Sequence, residues 1–412
     1  MSTFQIIAIL ITLTALFSYF NYRYIKLPTT IGVMLMALVA SLGLIGLAAL
    51  GLPGIRETAT RVVESIDFDD TLMQGMLSFL LFAGALHINL NDLAENKWPI
   101  AALSLGGVIF STVIFGTLIH LVSHGLGLGL DFTYCLLFGA LISPTDPIAV
   151  VATLKRAHVP KNLEVTIAGE SLFNDGVGVV AFIILGEVAL SGQPITAGHV
   201  GMLFLQEAVG GGVFGLGIGW IAFRLLKSVD NYHVEILLTL ALVTGGYALA
   251  AAMHLSGPIA IVVAGVLIGN QGRREAMSEQ TRHNLDMFWE LIDEIMNALL
   301  FLFIGLEVLL LVFTGRLLLA GLLAVPVLLL ARWISVLAPI ALMRSWHSLG
   351  RGAVAIMTWG GLRGGISVAL ALSLPPGPQR EPVLALTYVL VIFSILIQGP
   401  TMNRLIKRVS AR

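Results

Sequence analysis

The stretch Gly169-Glu170-Ser171-Leu172-Phe173-Asn174-Asp175-Gly176 sets two carboxylates, an amide and a hydroxyl inside an apolar run of about residues 163–190. Glu170 and Asn174 are four residues apart, as are Ser171 and Asp175, so on a helix each pair shares a face. A charge at the centre of a membrane-length helix costs at least ~2.5–3.5 kcal/mol, so such groups mark sites of function. One pair can orient; the other can hold a cation. Asp175 is the candidate working carboxylate. Burial favours its protonated form, whereas a bound cation favours its ionised form. One carboxylate then holds either a proton or an alkali cation. That competition alone gives exchange.

Oxygen ligands to complete a cation site lie nearby in the pattern. Ser171 offers a hydroxyl one turn from Asp175. Thr145 offers a hydroxyl and a backbone carbonyl from another segment. Glu170 needs a buried positive partner, and both Arg332 and Arg363 lie within apolar runs. Their spacing alone leaves the choice open. Asn174 can hydrogen-bond Glu170 and hold it away from the ion.

The chain of 412 residues is 57% hydrophobic and 11% charged, where soluble domains are about a quarter charged. Its mean hydropathy is +0.94. It reads as an all-α, polytopic membrane protein. The net charge of −1 gives no reason to expect a nucleic-acid partner. The single cysteine, Cys135, allows no disulfide within the chain and reads as a small buried residue. The N-terminus lacks a basic leader, so residues 3–21 read as a retained first span.

Spans need ~20 mostly apolar residues. Thirteen candidates follow, at about 3–21, 30–50, 70–86, 99–121, 132–153, 163–190, 198–226, 234–253, 257–269, 286–311, 317–343, 352–372 and 383–403. With the N-terminus outside, seventeen Lys and Arg fall on the cytoplasmic side and four outside. Arg332 and Arg363 lie within spans. The asymmetry sets the orientation and places the C-terminus in the cytoplasm.

Spans 5 and 12 carry helix breakers at their centres. Span 5 holds Ser143-Pro144-Thr145-Asp146-Pro147, and each proline removes a donor and clashes with the preceding turn. Carbonyls around Ala140 and Ser143 lose helical partners there and become hard oxygen ligands for an alkali cation. Span 12 holds Gly360-Gly361-Leu362-Arg363-Gly364-Gly365. Seven spans separate the two, so they run in opposite directions. Paired broken helices in inverted halves point to a transport site. If they cross, Asp146 has the sign to offset positive half-helix ends and Arg363 to offset negative ones. Direct pairing of the two is the other arrangement.

Other polar residues carry less weight. Glu307 and Glu235 read as interfacial. Asp293 and Glu294, at the cytoplasmic start of span 10, are candidates for an acidic entrance funnel or a solvated helix end. His120 and His124 have metal-compatible spacing but no third ligand. No cofactor is expected, and neither a nucleophile elbow nor an HExxH zinc motif is present.

Thr145-Asp146-Pro147, Glu170-Ser171-Leu172-Phe173-Asn174-Asp175, Arg332 and Gly361-Leu362-Arg363-Gly364-Gly365 together resemble the monovalent cation:proton antiporter family, in its sodium/proton exchanger (NhaP-like) branch. Leu27-Pro28-Thr29-Thr30-Ile31-Gly32 and Ala85-Leu86-His87-Ile88-Asn89-Leu90 add to the likeness, which spans residues 25–404. The resemblance implies thirteen spans, two inverted-topology repeats with crossed discontinuous helices 5 and 12, and a homodimer in membrane lipid. It implies that Asp175 carries the cation and proton, with Thr145 and Ser171 as further cation ligands. It implies that Glu170 pairs with Arg332, with Asn174 holding that arrangement. Asn rather than Asp at 174 resembles the electroneutral branch. No ligand role transfers to His87.

The expected function is secondary antiport of sodium, with lithium or potassium as other candidates, against protons across the cell membrane. Elevator-like alternating access would serve a one-for-one exchange. The alternative is a sodium-coupled symporter of an organic solute on a similar plan. Residues 1–96 and 232–311 would form the dimer scaffold, 97–192 and 317–404 the moving core, 198–228 a linker and 405–412 a short cytoplasmic tail.

Overall fold

The computed structural model describes residues 2–50, 60, 61, 63, 75–147, 150, 151, 154, 159–191, 197–311, 314–342, 349 and 352–410. Several sequence expectations lie outside them: the first five residues of span 3, and Arg56, Lys155, Arg156, Arg344, Arg351 and Arg412 of the charge asymmetry. Among the described residues regular structure is helical, with one isolated antiparallel bridge.

The helices that frame the site are α1 (Thr3–Phe20), α2 (Thr29–Ala49), α3 (Leu77–Leu86), α4 (Lys97–Leu126), α5 (Phe132–Leu141), α6 (Lys161–Ser191), α7 (Gly201–Leu226), α8 (Tyr232–Ala252), α9 (Gly257–Leu267), α10 (Glu279–Glu307), α11 (Gly315–Leu342), α12a (Ala353–Trp359), α12b (Gly365–Leu372) and α13 (Arg380–Val409). Eight of them, α1, α2, α4, α6, α7, α8, α11 and α13, are long and apolar enough to cross a membrane. Helices α3 and α5 are shorter and equally apolar. The chain is a membrane-embedded helical protein.

Local chemistry sets the helix ends. Ser256 caps α9 by accepting from the Ile259 N–H, and Pro258 occupies the first turn, where a missing donor costs nothing. Ser278 caps α10 through the Thr281 N–H. That cap starts α10 at Glu279, seven residues before the expected span 10. Asp293 therefore sits near mid-helix rather than at a frayed start. At the other end of the chain, helix continues to Ser410 through the segment read as a tail. Its amphipathic pattern explains this, because Met402 and Ile406 are buried while Arg404, Lys407 and Arg408 face out.

Two sets of helices pack within themselves. In one, α4 packs on α5 and α11, α6 on α5, and α11 on α12a and α13. In the other, α10 packs on α1, α2 and α3, and α9 on α3, α7 and α8. In lipid no hydrophobic force draws helices together, so close backbone approach does more of the work. Gly211, Gly215 and Gly219 stripe one face of α7 against Ser256, Ala260 and Ala264. Gly139 of α5 lies against Thr112 of α4, where an added Cβ would come within 2.4 Å of the Thr112 carbonyl oxygen.

Gly139→Val should therefore push α4 from α5. The expected loss is ~1–3 kcal/mol, read as a lower unfolding temperature in detergent. Gly43→Val, where an added Cβ meets nothing within 4 Å, is the control expected to change little.

Candidate functional site

The two helix breaks cross. Asp146 N–H donates to the Leu362 carbonyl at 2.8 Å, forming the isolated antiparallel bridge between the span-5 and span-12 interruptions. Pro144 ends the α5 hydrogen-bond ladder, the chain is non-helical from Ser143 to Pro147, and Val150 and Val151 are helical again. The glycines do the same between α12a and α12b.

The groups freed by these breaks find partners. Arg363, fully buried, donates from Nη1 to the carbonyls of Ser143 at 2.6 Å and Pro144 at 2.8 Å. It thus places a cation at the negative end of the α5 half-helix. The Ala140 carbonyl accepts from Ser143 N–H and Oγ. This corrects the expectation that these carbonyls await an alkali ion: the guanidinium and the serine take them. At the opposite end, the Asp146 carboxylate lies against Gly364, the N-cap of α12b, where an added Cβ would stand 3.0 Å from Oδ2. A negative group beside a helix N-terminus is favourable.

Glu170 is fully committed. Arg332 Nη1 and Nη2 donate to its two oxygens at 2.6 and 2.9 Å, a bidentate fork, with both residues buried. The choice that spacing left open thus falls to Arg332. Arg332 Nε also donates to the Met357 carbonyl near the end of α12a. It can approach because position 361 is glycine; a Cβ there would lie 2.7 Å from Nε.

Asn174 ties three elements together. Its Nδ2 donates to Thr145 Oγ1 at 2.8 Å and to Glu170 Oε1 at 3.3 Å, and its Oδ1 accepts from Thr145 N–H at 3.3 Å. Thr145 Oγ1 and Ser171 Oγ stand 3.0 Å apart. When Thr145 donates to Ser171 and accepts from Asn174, one lone pair on Oγ1 remains for a cation. The amide thus does more than hold Glu170 aside: it orients a candidate ligand.

Asp175 differs from Glu170 in one respect that matters. It is 8% exposed, and its Oδ1 has no hydrogen-bond partner. It lines a cavity of about 540 Å³ together with Thr145, Asp146 and Asp293. The cavity extends to Asp92, in the short helix Leu90–Glu95, and to Lys161 and Glu164 at the start of α6. Asp92 is paired with Lys161 at 2.7 Å, and the acidic side chains deeper in the cavity, Asp146, Asp293 and Asp175, attract cations.

Glu235, read as interfacial, is fully buried, and its Oε1 accepts from Thr281 Oγ1 at 3.1 Å. Glu307 is buried too. Of the proposed funnel pair, Asp293 lines the cavity while Glu294 is exposed. His87 lines the cavity, and its Nδ1 sits 2.8 Å from the Ala83 carbonyl. His120 contacts Cys135 Sγ at 3.9 Å. No group of three metal-ligating side chains occurs among the described residues. Ser394 and Gln398 went unread in the sequence. Ser394 Oγ accepts the Arg363 N–H at 2.9 Å, and Gln398 Nε2 donates to the Trp359 carbonyl at 3.0 Å, so α13 satisfies the second break. Two polar residues four apart in an apolar span were the available signal.

Arg332→Ala should cost ~3–5 kcal/mol, because it leaves a buried carboxylate unpaired. Glu170→Ala added to it should cost much less than Glu170→Ala alone, measured by unfolding in detergent; additive losses would argue against coupling.

Comparison with known proteins places the chain. Residues 9–408 match the family described as sodium/hydrogen exchanger, transmembrane. The chain is 50% identical over 411 residues to the Na(+)/H(+) antiporter NhaP of Pseudomonas aeruginosa, covering 99% of this chain and 97% of that protein. It is 34% identical to the Na(+)/H(+) antiporter NhaH of Halobacillus dabanensis, covering 94% and 93%. The sodium proton antiporter MjNhaP1 from Methanocaldococcus jannaschii, solved at pH 8, shares the fold with a TM-score of 0.78 at 19% identity, over the full length of both chains. The breaks that cross, the spent glutamate beside the unspent aspartate and this likeness agree: the chain belongs to the sodium/hydrogen exchanger family, a family of ion exchangers rather than enzymes.

Proposed function

We propose that this protein exchanges sodium for protons across a membrane, with Asp175 as the group that carries each in turn. The observation that carries the reading is the contrast between its two buried acids. Glu170 accepts three hydrogen bonds from Arg332 and Asn174 and has little capacity left. Asp175 Oδ1 has none, and the residue lines the cavity. A cation there takes oxygens from Asp175, Ser171 and Thr145. A proton on Asp175 removes the charge that holds it.

One titrating carboxylate, with the amide Asn174 beside it, supports a one-for-one, electroneutral exchange. Sodium is the ion named for the relatives, and lithium or potassium fit the same oxygen set. Sodium-coupled symport of an organic solute finds no support in those relatives.

The packing of the helices into two sets supports alternating access. The set built on α4, α5, α6, α11, α12a, α12b and α13 carries Asp175 and the crossing, and it slides against the set built on α1, α2, α3, α8, α9 and α10. The first set is the moving core and the second the scaffold of a homodimer, with α7 as linker. The basic loops favour a cytoplasmic C-terminus in the cell membrane. The cavity mouth at Lys161 and Asp92 then faces the cytoplasm.

Asp175→Asn should abolish sodium-driven proton movement in proteoliposomes while the protein stays folded; substantial remaining exchange removes the assignment. Because the proton competes with the cation, acidification should weaken apparent sodium affinity, by up to about tenfold per pH unit below the carboxylate's pKa. An affinity that is constant across pH would refute competition. Turnover should carry no net charge, so an imposed membrane potential should leave the rate unchanged, whereas a sodium-driven current would exclude one-for-one stoichiometry.

A further inference from the structure

The cavity holds more oxygen chemistry than the carrier aspartate needs. Asp293, Asn297 and Leu300 are spaced four and three along α10 and share one face. All three line the cavity. Asn297 Nδ2 donates to the Asp293 backbone carbonyl at 2.9 Å and to its Oδ1 at 3.1 Å. That bond orients the carboxylate, and the Asn297 amide oxygen is a further neutral ligand on the same face.

Facing α10 is the start of α12b, where Leu300 packs on Gly365. Two residues on, Ser367 is 1% exposed and lines the same cavity. Its hydroxyl has no hydrogen-bond partner. Ser104 and Thr387 satisfy their hydroxyls on the carbonyl four residues back, at Ile100 and Val383; Ser367, like Ser111, Thr112 and Thr166, does not. Among the described residues, the buried side-chain polar atoms without a partner that belong to cavity-lining residues are Asp175 Oδ1 and Ser367 Oγ. A buried polar atom left unpaired costs ~1–3 kcal/mol, which calls for a water or an ion at the site.

Electrostatics join these groups. Asp146 lies within electrostatic reach of both Asp175 and Asp293. Asp146 thus stands between the two acids as a shared negative neighbour. At about 540 Å³ the cavity admits an ion with water still on it, since each water takes ~30 Å³ in the liquid.

We infer that Asp293, Asn297 and Ser367 form a second cation position, a staging site outside Asp175 that takes a partly hydrated alkali ion. The inference deepens the exchange reading and rests on it for the identity of the ion. Staging suits transport, because an ion that sheds its waters in two steps meets no single large desolvation barrier and no single trap. The site lies across the boundary between the two helix sets, with Asp293 and Asn297 on α10 and Ser367 on α12b. Sliding of one set past the other would therefore take it apart while leaving Asp175, Ser171 and Thr145 together.

The test uses the full chain in proteoliposomes with sodium as the probe. Asp293→Asn should raise the sodium KM about fivefold or more, the loss expected from one partly screened charge. Its kcat should fall by a smaller factor, and Asp293→Glu should recover part of the KM. Ser367→Ala should raise KM less, and the two changes together should raise it by less than the product of their separate effects. An unchanged KM in Asp293→Asn, or a kcat loss with KM constant, overturns the site and leaves Asp293 as part of the helix structure. If Asp293→Asn does not fold, the KM of Ser367→Ala decides, and no change there overturns the site. Sodium NMR line broadening keeps the two readings apart. Asp175→Asn should retain weak sodium binding that the further change Asp293→Asn removes. Absence of that residual binding overturns the staging site even if exchange by the wild type is intact. Its presence supports the site even if sodium-driven exchange fails.

Discussion

Hydrocarbon offers no hydrogen bonds, so a membrane helix that breaks must find partners for its freed backbone inside the protein. This chain breaks two helices and makes each break answer the other. Asp146 N–H bonds the Leu362 carbonyl across the crossing. Arg363 from one break takes the Ser143 and Pro144 carbonyls of the other. Asp146 returns the favour in the opposite sign, with its carboxylate against the first turn of α12b. Remove either break and the other has unsatisfied groups. The crossing is therefore a unit, and the candidate cation site is built on it.

That unit also explains why two buried acids five residues apart behave differently. Glu170 faces Arg332, which reaches between α12a and the glycine at 361. It is locked, and it locks α6 to α11. Asp175 lies further along α6, on the cavity side, with no donor aimed at Oδ1. Asn174 stands between, bonded to both Glu170 and the span-5 break. A carbonyl-and-amide side chain can bond an acid and a threonine at once without titrating. An acid in its place would bring another negative charge next to Asp175. The electrostatic identity of one position thus bears on how many protons the site can move.

Parts of this were legible in the residues. Prolines flanking Asp146 and four glycines around Arg363 announce two interruptions, because both residue types disfavour a continuous helix. Acids in an apolar run announce a site. What spacing did not supply was the third dimension. Arg332 and Arg363 were equally eligible partners for Glu170 until the crossing sent Arg363 to the α5 carbonyls. Glu235 and Glu307 looked interfacial because they fall near the ends of apolar runs, yet helix packing buries both. Ser394 and Gln398 looked like ordinary polar residues in span 13, and only the position of α13 beside the second break gives them a purpose.

The sequence by itself determined that the chain lives in a membrane, where it breaks, and which apolar helix carries two acids. Each of these follows from local properties: hydropathy over ~20 residues, the missing proline donor and the cost of a buried charge. The tertiary structure alone decided which acid is spent and which is available. It also decided which carbonyls are capped by arginine and which hydroxyls meet a cavity. Those outcomes depend on groups far apart in the chain, such as Glu170 and Arg332, Asn174 and Thr145, or Asp293 and Ser367. Only helix packing brings their atoms together, or sets them around one shared cavity.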